Sequence, residues 1–145
     1  MTSYQNPKIV TGSVVRHGSA ILLCRRAIEP SKGLWTIPAG YLEMGETPQE
    51  GAIREAAEEA AIRIAITGLL AVYTEREGGR VLLFHRATLR QPAFAAGPES
   101  QAVALFPDDQ LPWDQLAFPS VRWALLDERR RGGPFCNPDD TPAPM

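Results

Sequence analysis

A chain of 145 residues is long enough to bury one hydrophobic core and too short for a second ordinary domain, so residues 1–133 are expected to form one unit. With 44% hydrophobic and 22% charged residues it has the balance of a soluble globule, and a net charge of -2 gives no broad attraction to nucleic acid or membrane. The N-terminal MTSYQNPK lacks the apolar core of a signal peptide, no run approaches membrane-spanning length, and Cys24 and Cys136 are too few for a disulfide framework or zinc ribbon; a cytoplasmic location and two unpaired thiols are expected.

Ile9 to Val15 and Ala20 to Arg26 read as β-strands around a turn at His17-Gly18-Ser19, with Ile21 and Leu23 on one face of the hairpin and Leu22 and Cys24 on the other. Pro30 to Gly33 reads as a loop leading to a short strand, Trp35 to Pro38, followed by a loop containing Ala39-Gly40 and Gly45-Glu46.

A helix begins at about Thr47. Thr47 and Glu50 form the sequence signature of a capping box, and Pro48 falls at the first helical position, where its missing N–H costs nothing. Glu55, Glu58 and Glu59 then follow at i, i+3 and i+4, neighbours on one face roughly 5–6 Å apart at Cβ. Stacked like charges repel, whereas a hard divalent cation with oxygen ligands draws them together, and a site of few carboxylates that keeps waters and substrate phosphates suits Mg²⁺. Taken alone, REAAEEAA also suits a solvated alanine-rich helix; Glu46 and the tight Pro38-Ala39-Gly40 backbone just before it favour the cation site. Ala52, Ile53, Ala56, Ala57 and Ala60 are expected to give the helix a small-residue face for close packing on a sheet.

Ile64 to Thr74 reads as strand broken at Gly68, and Arg80 to Leu89, after the Glu77-Gly78-Gly79 turn, as its pairing partner. Ala93 to Ser100 reads as a loop, Gln101 to Phe106 as a short strand and Pro119 to Arg131 as a second helix ended by Gly132. Arg129, Arg130 and Arg131 would complement its dipole in the last turn. From Pro134 to 145, four prolines in twelve residues predict a mobile tail. The sum is an α/β (α+β) architecture, a mixed sheet between helices.

The stretch from Gly40 to Ile62 resembles the Nudix box, G-x5-E-x7-R-E-U-x-E-E-x-G-U with U aliphatic, through Gly40, Glu46, Arg54, Glu55, Glu58, Glu59 and Ile62. Two positions depart from it: Ala56 stands where a larger aliphatic residue is usual, and Ala61 replaces the glycine that ends the helix. If Ala61 must be left-handed, alanine costs on the order of 1 kcal/mol relative to glycine. Neither change removes a ligand.

The resemblance implies the Nudix fold and hydrolysis of a nucleoside diphosphate linked to a moiety X, with Mg²⁺ or Mn²⁺ as cofactor. By position in the box, the implied metal ligands are Glu55, Glu58 and Glu59 with the Ala39 carbonyl, and Glu46 as outer support or added ligand. Arg54 is expected to orient Glu46 or another carboxylate by a bidentate pair. Glu55 and Glu99 are both candidates for the group that takes the proton from water. The segments Gly33 to Tyr41, Gly97 to Ser100 and Leu116 to Phe118 resemble enzymes acting on ADP-ribose or FAD, without the N-terminal zinc ribbon common among them; NADH and nucleoside triphosphates stay open. A nucleotide-pool sanitiser and a non-catalytic nucleotide-binding module are the alternatives, the second disfavoured because every box glutamate is present. The implied partner is a small nucleotide, neither nucleic acid nor membrane, with homodimerisation left open. Trp35, Trp113 and Trp123 read as packing groups, Tyr73 and Phe84 as strand aromatics, His85 as a satisfied core or edge histidine, and His17 as inert.

Overall fold

The computed structural model describes residues 5–138. In chain order the elements are β1 (Lys8–His17), β2 (Ala20–Arg26), β3 (Trp35–Thr36), β4 (Ala39–Tyr41), α1 (Pro48–Ala60), β5 (Ile64–Glu75), β6 (Arg80–Leu89), β7 (Ser100–Pro107) and α2 (Pro119–Glu128), with two short 3-10 turns before α2. β1 and β2 form the expected hairpin, His17 opposite Ala20, because Gly18 takes φ +60° without a Cβ to clash. β6 lies parallel to β1, β5 antiparallel to β6, and β7 antiparallel to β2, so the sheet is mixed, with a central path β3-β2-β1-β6-β5.

Alternation along the strands makes two cores. Ile21, Leu23, Val14, Tyr73, Leu82 and Phe84 face α2, where Val121, Ala124 and Leu125 meet them. Leu22, Cys24, Val15, Ala87 and Leu89 face α1, which contributes Ala56 and Ala60. Ala52 is also fully buried, but Ile53 and Ala57 are exposed, so the packing stripe of α1 is narrower than expected. Close approach on that side is set by Gly51, where a Cβ would stand 2.6 Å from Thr11 Cγ2. Tyr73 and Phe84 are core aromatics, and Trp35, Trp113 and Trp123 pack against the α2-side core.

Four expectations need correction. The segment after Pro38 is not all loop: β4 pairs with Val10, Thr11 and Gly12 of β1, and Gly12 is what admits it, since a Cβ there would lie 2.5 Å from Ala39 Cβ. Gly68 does not break β5; register shifts at Ile66/Gly68 and Leu69/Ala71 absorb the irregularity while pairing with β6 continues. α2 ends at Glu128, so Arg129–Arg131 lie past its last turn. Arg129 instead donates to the Asp108 carbonyl at 2.8 Å, and Arg130 pairs with Asp127 at 3.1 Å.

Within the described residues, the segment from Pro134 to residue 138 lies along the edge of β5. Phe135 bridges to Ala71, its N–H donating to the Leu70 carbonyl and its carbonyl accepting from Val72 N–H, both at 2.9 Å, and the Asn137 amide closes two bonds with the Thr74 backbone. An unpaired strand edge accepts any chain that reaches it, proline-rich or not. The tail beyond residue 138 lies outside the described residues. His85, finally, is half satisfied: Nδ1 lies 3.0 Å from the Gly12 carbonyl, while Nε2 is buried with no partner.

Candidate active site

The capping box forms as its residues dictate. Glu50 N–H donates to Thr47 Oγ1 at 3.1 Å and Thr47 N–H to Glu50 Oε1 at 2.8 Å, fixing where α1 starts and hence which residues face the loop before it. At the other end Ala61 is left-handed, φ 55° and ψ 40°, its N–H donating to the Ala57 carbonyl.

Arg54 is the hub between loop and helix. Its Nε donates to Glu46 Oε2 at 2.6 Å and Nη2 to Glu46 Oε1 at 3.0 Å, a bidentate pair, while Nη2 also reaches the Tyr41 carbonyl at 3.0 Å. Nη1 turns to the helix face, 2.9 Å from Glu55 Oε1 and 3.2 Å from Glu58 Oε2. The hydrogen bond from Arg54 holds Glu46 below the usual carboxylate range, helped by the Glu43 backbone.

On the far side of Glu55 the balance reverses. Burial, then hydrogen bonding to Glu55 and its charge, push Glu59 up to about 9, with the Ala39 N–H opposing and Glu99 adding to the rise. Glu55 itself is buried, and a Cβ on Gly40 would overlap its carboxylate, so glycine at position 40 leaves the room that Glu55 occupies. Glu99 comes from the loop between β6 and β7. Its loop is tied to the end of α1 by Gly97 N–H to the Glu59 carbonyl at 3.0 Å and Ser100 Oγ to the same carbonyl at 3.2 Å, and a Cβ on Gly97 would overlap the Glu58 carbonyl. Glu46, Arg54, Glu55, Glu58, Glu59, Ala39 and Glu99 therefore gather around one end and one face of α1; Glu58 and Glu99 are the exposed members.

Beside this cluster, and sharing Ala39 and Gly40 with it, a cleft of about 310 Å³ opens over the α2-side face of the sheet. Val10, Leu82 and Phe84 lie along it, Arg26 and Phe118 stand at one side, and Glu75 and Arg80 at another. The Arg26 guanidinium sits 5.1 Å from the centre of the Phe118 ring.

A family model described as "NUDIX domain" matches residues 7–125. The chain belongs to the Nudix family. A crystal structure of a Nudix hydrolase from Nitrosomonas europaea superimposes with a TM-score of 0.86 at 39% identity, covering 92% of this chain and 80% of that one. A MutT-like protein of Streptomyces ambofaciens is 34% identical over 90% of this chain and 82% of its own length. An ADP-ribose pyrophosphatase of Methanocaldococcus jannaschii is 34% identical over 49% of this chain, and the match spans only 42% of that relative; further relatives carry names specifying 8-oxo-dGTP and CTP. This chain is a Nudix pyrophosphohydrolase.

Nudix hydrolases generally depend on a divalent metal. Among the described residues no three carboxylate, histidine or cysteine side chains already converge as a cation cage. The donor set nevertheless fits one: Glu55 and Glu59 lie so close that Glu59 retains a proton far above the normal carboxylate range, and a divalent cation satisfies both carboxylates where a proton satisfies one.

The cleft is what the sequence reading missed. Arg26, Glu75, Arg80 and Phe118 are scattered over 93 positions, and only the pairing of β5 with β6 and the packing of α2 bring them together. One signal was legible: Glu75 and Arg80 flank the Arg76–Gly79 turn as cross-strand partners of opposite charge.

Proposed function

We propose that this Nudix enzyme cleaves, with Mg²⁺ or Mn²⁺, the pyrophosphate bridge of an ADP moiety joined to a sugar or flavin, ADP-ribose or FAD, giving AMP and a phosphorylated X. The observation that carries the reading is the apolar cleft opening at Ala39-Gly40 directly beside the Glu55–Glu59 pair, which lets a nucleoside sit in the cleft while its phosphates lie against the carboxylates. Three segments that resemble ADP-ribose and FAD enzymes also converge here. Ala117 N–H donates to the Trp35 carbonyl at 2.7 Å, Phe118 lines the cleft, and Ala27 N–H donates to the Glu99 carbonyl at 2.9 Å. The name of the Methanocaldococcus relative points the same way.

In the mechanism, Glu55, Glu58, Glu59 and the Ala39 carbonyl would hold the metal, which when bound neutralises the bridge and lowers the pKa of water. Arg54 keeps Glu46, Glu55 and Glu58 in register as a positioning residue. Glu99, exposed and close enough to Glu59 to raise its pKa, accepts the proton of the attacking water; Glu55, paired to Arg54, is the second candidate for that role. The oxygen of that water ends on one phosphate, and the bridging oxygen leaves with the other. A panel of ADP-ribose, FAD, NADH, diadenosine polyphosphates and nucleoside triphosphates, with Mg²⁺ and with EDTA, tests the reading. AMP release from ADP-ribose or FAD, absent in EDTA, supports it; far higher kcat/KM on triphosphates replaces it with the pool-sanitising reaction that the 8-oxo-dGTP name of two relatives favours.

A further inference from the structure

Glu75 and Arg80 form the last cross-strand pair of the β5–β6 hairpin before its turn, and both line the cleft. Arg80 Nε lies 2.7 Å from Glu75 Oε1 in an ion pair that is not aligned as a hydrogen bond, and Tyr41, on the same cleft wall, also acts on the guanidinium. A buried donor whose own partner is poorly aligned gains from a better-placed acceptor, and this one sits on the wall of a cleft. The guanidinium is held in place: it packs over Gly78, where a Cβ would stand 3.1 Å from Nη2. The walls nearby, Val10, Leu82 and Phe84, are apolar, so a polar match made here counts for more than one made in water.

The position along the sheet is also informative. On β1, Lys8 is the register partner of Arg80 and Thr11 that of Gly40, the glycine beside Glu55. Three residues along β1 separate those positions, and β4 and β6 flank β1 on opposite sides, so Arg80 and Gly40 stand about 14 Å apart at Cα. The Arg80 side chain reaching inward and an extended nucleotide together span that distance.

Resting on the reading that a nucleoside occupies the cleft, we propose that Glu75 and Arg80 are the specificity-determining pair that selects nucleobases with an exocyclic amino group beside a ring-nitrogen acceptor, adenine and cytosine, over their oxo counterparts hypoxanthine and uracil. The amino group donates to the Glu75 carboxylate and the ring nitrogen accepts from Arg80. An oxo base reverses both signs, setting a carbonyl oxygen against the carboxylate and an N–H against the guanidinium. Sites built to hydrogen-bond one pattern reject the reversed one strongly, because their own polar groups are left unpaired.

The test measures binding of AMP, IMP, CMP and UMP by calorimetry with excess Mg²⁺, on the wild-type chain and on Glu75→Gln and Arg80→Met. Binding needs no turnover, so failure of the pyrophosphohydrolase reading and failure of this one are separable. AMP over IMP and CMP over UMP should each be favoured by about tenfold or more, and Glu75→Gln, whose amide turns to either pattern, should bring both ratios to within about threefold. Arg80→Met should weaken AMP and CMP most. A purely structural ion pair would move the melting temperature and leave the ratios alone. Wild-type ratios near one, ratios unchanged in Glu75→Gln, or no saturable binding of any of the four nucleotides overturns the proposal. Should Glu75→Gln fail to fold, Arg80→Lys, which keeps the charge and loses the Nε–H, must reduce the same ratios.

Discussion

Arg54 grips Glu46 with two nearly parallel hydrogen bonds, Nε to Oε2 at 2.6 Å and Nη2 to Oε1 at 3.0 Å, and so ties the loop before α1 to the face that carries the carboxylates. Lysine keeps the charge but offers a point donor in place of a fork. Arg54→Lys should therefore lower kcat at least tenfold while KM changes little and circular dichroism stays native. Wild-type turnover in this variant would show that the glutamates hold their positions unaided.

The Glu55–Glu59 pair sets a pH dependence with a definite sign. Glu59 titrates near 9 in the folded chain against 4.5 ordinarily, so between those values the native state holds a proton that the unfolded chain has lost, and stability falls as pH rises through that window. In EDTA the melting temperature should drop from about pH 5 to about pH 9, and Glu59→Gln should flatten the slope. Mg²⁺, competing with that proton, should raise the melting temperature more at the alkaline end. Glu59→Gln should also lower kcat by orders of magnitude, as should Glu58→Gln. Parallel melting profiles in wild type and Glu59→Gln would remove the shared-proton account.

Ala61 occupies the left-handed region that glycine enters freely. Ala61→Gly should stabilise the chain by about 1 kcal/mol, a rise of about 3 °C in Tm, with kcat unchanged. Differential scanning calorimetry checks it, and a fall in Tm would mean the wider backbone freedom of the unfolded glycine chain outweighs the relieved strain.

Glu99 is offered as the acceptor of the water's proton. Glu99→Gln keeps the shape and loses the base, so kcat should fall at least tenfold with Tm nearly constant. Gly97→Ala probes the same loop from its anchor, because the added Cβ runs into the Glu58 carbonyl and lifts residues 97–100 away from α1. It should depress kcat alongside Glu99→Gln. If Gly97→Ala lowers turnover and Glu99→Gln does not, the loop shapes the site without supplying the base.

Local chemistry is legible without coordinates. Thr47, Pro48 and Glu50 name the start of α1 because capping groups act within one turn, and the helical repeat then places Glu55, Glu58 and Glu59 together whatever surrounds them. The β1–β2 hairpin and the β5–β6 pair follow equally from short-range alternation and turns, and the faces assigned to Ile21 through Cys24 match the two cores. The limits were local too. Arg129–Arg131 continue a helix-compatible composition past the point where α2 ends: Arg129 turns to the Asp108 carbonyl and Arg130 to the Phe135 ring, both outside the helix, while Arg130 also pairs with Asp127 of its last turn.

What only the tertiary structure decides depends on contacts between distant segments. β4 exists because Gly12 lets Ala39 come close, Phe135 and Asn137 pair with the edge of β5 because its backbone groups are free there, and the cleft of Arg26, Phe118, Glu75 and Arg80 exists because α2 packs over the face of the sheet to which β5 and β6 belong. The carboxylates were set by the sequence of a single helix, whose hydrogen bonds span four residues. Their neighbours were set by pairings that span most of the chain, and no local pattern encodes which of them will meet.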